Sequence, residues 1–225
     1  MVEICRVVGG EVLIAIPHNH RHHLSQRDSF LRWTVAFPVA VKNLLRAEKG
    51  CADELSGVLS EMDAAQLLAA PHQPLHCLQM MRMTACLIIR DSPFEPALAA
   101  AMHRDISASI GTLTGAMGAM ERINGTPLPF AYTAHVRLFL VTYLFFVAVV
   151  LLPACGWLTI PALALLSFVL LGTETAATEC ERPFKRRADH LPLERYCLTV
   201  SDNIAQLAAT PPPKCPAPAP AADPE

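Results

Sequence analysis

Residues Leu138 to Thr173 hold 36 positions without one charged side chain. An unbroken helix of that length would run roughly 54 Å, while a bilayer core is about 30 Å thick. One straight crossing does not accommodate it. Pro153, Gly156, Trp157 and Pro161 interrupt the run near its middle. They predict two membrane helices, over residues 130–152 and 158–178, joined by a tight turn. Charges return on both flanks: His135 and Arg137 before, then Glu174, Glu179, Glu181, Lys185, Arg186 and Arg187 after. Cations at both open ends and none at the turn put both ends in the cytosol or an equivalent compartment. Trp157 suits the opposite interface. The strictly uncharged parts, Leu138–Leu152 and Leu158–Leu171, are 15 and 14 residues long, below the ~20 of a lipid-exposed span. Either polar flanks enter the membrane or other protein shields these helices.

Composition agrees. Hydrophobic residues make up 52% and charged residues 17%, against roughly 25% charge in ordinary globular chains. A net charge of −2 offers nothing to nucleic acid. Eight cysteines are scattered with no CxxC pair, which argues against a zinc ribbon or a redox dithiol and for small buried apolar residues. His18, His20, His22 and His23 cluster without a carboxylate or cysteine at a supporting spacing, and read as a solvated loop rather than a metal site. GxGxxG, P-loop, HExxH and GxSxG motifs are all missing, so neither an enzyme nor a cofactor is expected. Met1–Pro17 has an apolar patch broken by Glu3, Arg6 and Glu11 and does not read as a secretory or plastid address. The expected location is integral and multi-pass, in the plasma membrane or an organelle, a plastid included.

Upstream of the hairpin the pattern is helical. Residues 1–28 read as irregular. Ser29–Glu48 is a predicted helix that Pro38 kinks or interrupts and Gly50 stops. Asp53–Ala70 is a second, and Pro74–Arg90 a third that is apolar enough to pack on two sides. Pro96–Asn124 is a long fourth, on which Gly111, Gly115 and Ala119 fall at i, i+4 and i+8, a spacing that lets two helix backbones approach closely. Leu193, Cys197, Val200, Ile204 and Leu207 form a short amphipathic segment, and residues 209–225 a disordered Pro/Ala-rich tail. The fold class is an all-α membrane protein, a helical bundle with a transmembrane hairpin and cytosolic helices.

Several motifs fall in a specific order. Asn124–His135 reads N-G-T-P-L-P-F-A-Y-T-A-H and leads into the hairpin; Gly172–Phe184 reads G-T-E-T-A-A-T-E-C-E-R-P-F and leaves it. His190–Val200 reads H-L-P-L-E-R-Y-C-L-T-V, Leu31–Pro38 L-R-W-T-V-A-F-P, and Gln73–Gln79 Q-P-L-H-C-L-Q. Over residues 29–208 this order resembles the bestrophin family of anion channels, in its bacterial, plant and algal branch. Pro129, Phe130, Tyr132, Glu179, Pro183 and Phe184 carry the motif positions.

The resemblance implies a subunit of a pentamer around one central pore, passing chloride or other small anions passively, although some bacterial members pass cations. It places Met102, Ile106 and Ile110 on a pore-lining helix as a possible constriction, and Gly111, Gly115 and Ala119 at a helix contact. Family members begin with two further hydrophobic helices that this sequence does not contain, which implies a partial subunit, as a homo-oligomer or in company with longer subunits. Where animal members bind calcium with an acidic run, this chain has Lys185, Arg186 and Arg187, which repel a dication. Two other readings stay open on the residues alone: a non-conducting fragment that modulates full-length subunits, and a hairpin-anchored membrane scaffold.

Overall fold

The apolar face of residues 29–46 anchors the chain. In a computed structural model, which describes residues 1–15, 21–48, 54–92, 94–126, 128–186 and 191–209, these residues belong to a helix, α2 (Arg21–Arg46). It follows α1 (Val2–Ala15) and precedes α3 (Glu61–Ala69), α4 (Gln73–Arg90) and α5 (Pro96–Gly125). Next come α6 (Phe130–Cys155), a 3-10 turn over Gly156–Leu158, α7 (Thr159–Cys180) and α8 (Leu193–Ala209). Among the described residues there is no strand. The chain divides into two units, residues 1–117 with 192–225, and residues 118–191.

In the first unit α2 packs against α4, α8 and α1. Phe30, Trp33, Phe37 and Val41 recur along it and are all buried. The Trp33 indole meets the His76 ring of α4 edge-on, with centroids 5.6 Å apart. Each such buried apolar side chain stabilises the unit by roughly 1.5–3 kcal/mol. Of the two effects expected of Pro38, a kink or an interruption, the interruption does not occur: α2 runs on through it. Proline removes one amide from the ladder, but residues 35–43 are buried on every side, and that packing outweighs the lost bond.

Three boundaries differ from the sequence reading. Residues 1–28 are not irregular: Val2–Ala15 is helical and α2 starts at Arg21. Cys5, Val8 and Val12 of α1 are fully buried, and the helix packs on α8, α2 and α4. Glu3 and Arg6 pair with each other at 3.2 Å on its outer face, so the charges that break the apolar patch in sequence leave the buried stripe intact. The second predicted helix begins late. Leu55 and Leu59 anchor a turn, Gly57 takes φ +84°, and Ser60 caps α3 by accepting the Asp63 amide at 3.2 Å. α4 begins as expected, with His72 Nδ1 accepting the Leu75 amide at 3.3 Å. The predicted stop at Gly50, the histidines at 18 and 20, residues 187–190 and the tail from 210 lie outside the described residues, as do the side chains of His22 and His23.

α2 ends in a Schellman turn. The Ala47 amide donates to the Leu44 carbonyl at 3.2 Å and the Glu48 amide to that of Asn43 at 3.0 Å. Ala47 holds φ +54°, a conformation that favours glycine. Beside it two ion pairs tie the helix down: Lys42 donates to Glu54, and Arg46 forks onto Glu194 of α8, one of its bonds measuring 3.0 Å.

Candidate functional site

The second unit is built on the charge-free run. α6 and α7 pack side by side. Arg137, near the start of α6, donates to Glu174, near the end of α7, at 2.7 Å, so the helices run antiparallel and their open ends meet. At the other end Gly156 takes φ +53°, the Thr159 hydroxyl reaches back to the Leu151 carbonyl at 3.2 Å, and Trp157 is 89% exposed. None of the α6 side chains is buried, nor any of α7 beyond Thr159. Leu138, Phe139, Phe145, Phe146, Leu165 and Phe168 all stand outward. An apolar surface this large is not stable against water; lipid or further protein covers it.

At the open end the sequence motifs converge. Pro129 is the N-cap of α6 and makes no side-chain bond to its first turn. Leu128, Pro129, Phe130, Thr133 and Arg137 line one wall of a cavity of about 700 Å³. Glu179, Glu181, Arg182 and Lys185 line the other. Thus Pro129, Phe130 and Glu179 come together at this cavity. Tyr132 lines an adjoining groove and is 60% exposed. The Pro183 carbonyl accepts the Leu191 amide at 3.2 Å, and Phe184 is buried. The polar end therefore offers cations from α6 and from the segment after α7, with glutamates between them.

The predicted constriction is placed differently. Ile106 and Ile110 are 2% and 1% exposed, on the same stripe of α5 as Leu113 and Met117. That stripe is covered by the chain itself, so these two side chains are core residues and do not line a pore. Met102 is half-buried. The resemblance points to the helix, but spacing along it does not say which face the rest of the chain covers. The opposite edge of α5 is open: Gly111 and Gly115 are exposed, an added Cβ at either meets nothing within 4 Å, and Ala119 is half-buried. Sequence reasoning also missed the Arg137–Glu174 pair, although both residues were in view. A cation and a carboxylate bracketing a charge-free hairpin were the available signal. Among the described residues no group of His, Cys, Asp and Glu is placed to hold a metal ion.

The helices and the exposed hairpin define an all-α membrane protein. The family model for bacterial/fungal bestrophin proteins matches residues 1–206, and the chain belongs to the bestrophin family. The match includes residues 1–28, which the sequence reading had left outside the resemblance. A voltage-dependent anion channel-forming protein of Nostoc sp. is 30% identical over 191 residues, covering 82% of this chain and 58% of that protein. A voltage-dependent chloride channel 2, chloroplastic, of Arabidopsis thaliana is 28% identical over 192 residues, covering 85% of this chain and 44% of that one. The chain thus spans about half the length of these relatives. A bacterial bestrophin homolog from Klebsiella pneumoniae superimposes with a TM-score of 0.83 over 93% of this chain and 75% of that one, at 20% identity, and shows the same fold.

Proposed function

We propose that the chain serves as a subunit of an anion channel that conducts passively, chloride foremost, through a central pore enclosed by several copies or by this chain with longer subunits. The observation that carries the reading is the family match over residues 1–206 together with relatives named as anion channels. What supports it is the antiparallel α6–α7 hairpin with its outward apolar surface, and the open glycine edge of α5, of the kind that lets another helix approach closely. Passive conduction needs an enclosed aqueous path and scattered cations rather than catalytic groups. The test is to isolate the assembly from native membranes through a tag on this chain and reconstitute it in liposomes. Chloride efflux down its gradient is expected; an assembly that passes no small anion removes the reading.

A further inference from the structure

We propose that the cleft at the open end of the α6–α7 hairpin is a site for one membrane phospholipid whose headgroup carries both a phosphate and a primary amine. The proposal rests on the reading of the hairpin as membrane-spanning. Two cavities meet there. A groove of about 340 Å³ is lined by Val136, Leu140, Leu170 and Ala177, among others. It shares Leu128, Thr133, Thr178 and Glu181 with the polar cavity of about 700 Å³. Both volumes lie in the range of small-molecule sites. The groove runs between two helices with outward apolar side chains, so within a bilayer an acyl chain is its natural occupant.

The charges select the headgroup. Glu181 and Arg182 are neighbours in sequence and line the same cavity. Glu181 is half-buried and Arg182 exposed; their backbone amides bond to the Glu179 carbonyl, while among the described residues neither side chain forms an ion pair or hydrogen bond. Arg137 faces the same space with its charge already met by Glu174. Lys185 and Glu179 also line it and are already engaged within the chain. The cavity therefore presents one uncommitted cation beside one uncommitted anion. A purely anionic headgroup would meet Arg182 but be repelled by Glu181. A headgroup with phosphate and ammonium satisfies both. A primary ammonium donates charge-assisted hydrogen bonds to a carboxylate, and a quaternary one has no N–H to donate.

Native mass spectrometry of the full chain in detergent tests this, with phosphatidylethanolamine, phosphatidylcholine and phosphatidylglycerol of matched acyl chains as probes. One phosphatidylethanolamine per chain should be retained, about tenfold over the other two, the equivalent of one charge-assisted hydrogen bond. Glu181→Gln should erase the preference between headgroups, and Arg182→Gln should weaken all three about tenfold. Soluble phosphoethanolamine, which has no acyl chain, should not compete. Circular dichroism verifies that both variants stay helical. Equal retention of the three lipids, retention unchanged in both variants, or a lipid-free dimer filling the groove overturns the site. Alkaline carbonate extraction separates this from failure of the membrane reading. A chain in the pellet without headgroup preference refutes the site alone, and a chain released to the supernatant refutes the spanning hairpin beneath it.

Discussion

The Arg137 guanidinium and the Glu174 carboxylate close the open end of the α6–α7 hairpin, at 2.7 Å between atoms 37 residues apart in sequence. Arg137 is 61% exposed and Glu174 13%. Glu174→Gln should loosen the hairpin by about 0.5–1 kcal/mol, the range of partly exposed pairs. Thermal unfolding in detergent checks this, and high salt on the unsubstituted protein should reproduce part of the loss. A melting temperature unmoved by both would remove the pair from the energetics.

Ala47→Gly should stabilise the end of α2. Alanine at φ +54° costs about 1 kcal/mol that glycine avoids, while both bonds of the Schellman turn are backbone bonds and survive. The melting temperature should rise by about 2–4 °C. A fall would show that the alanine methyl contributes packing worth more than the strain.

Gly9 of α1 lies directly against Ile204 of α8. A Cβ there would lie 2.6 Å from Ile204 Cδ1. That methyl is the free end of a side chain, so Gly9→Ala should be tolerated once Ile204 shifts. Gly9→Leu should cost about 1–3 kcal/mol by overpacking, and Ile204→Ala in the same chain should recover part of it. Denaturant midpoints for the two single variants and the double decide the matter.

Acid should weaken the tie between α2 and α8. The Arg46 guanidinium holds the Glu194 carboxyl down at about 2, against an ordinary 4.5. A carboxylate depressed in the fold contributes stability that is complete above its unfolded value and is lost as the pH falls from about 4.5 to about 2. Glu194 is 46% exposed, so solvent screens the pair and the contribution is on the order of 1 kcal/mol or less. Glu194→Gln should lower stability at neutral pH and match the unsubstituted protein near pH 2. A gap between the two that stays constant across that window would be incompatible with this linkage.

Much of this was legible in the sequence, and the exceptions share a cause. The hairpin was readable because lipid leaves only one pattern open, a charge-free run with a break in it. α4 and α5 were readable because Pro74, Pro96 and Gly125 mark their ends. α1 was not, because Glu3, Arg6 and Glu11 hide a stripe of Cys5, Val8 and Val12 that shows only at helical spacing. Ile106 and Ile110 sit on an apolar face, but spacing does not say whether that face meets the chain's own core or the water of a pore. The cleft at the hairpin base was out of reach for another reason. Phe130 and Arg182 are more than fifty positions apart in sequence, and only the antiparallel pairing of α6 with α7 brings them to one cavity.

The absence of charge between Leu138 and Thr173 also bears on how a membrane potential acts on this protein. An electric field does work only on charge that moves through it, about 2.3 kcal/mol per elementary charge per 100 mV. The hairpin core carries none, and the dipoles of its two antiparallel helices oppose each other. With the hairpin read as membrane-spanning, tilting or sliding it transfers no gating charge, and whatever gating charge this chain contributes lies on its ionised side chains, such as Arg137, Glu174 and Arg182 at the hairpin's open end.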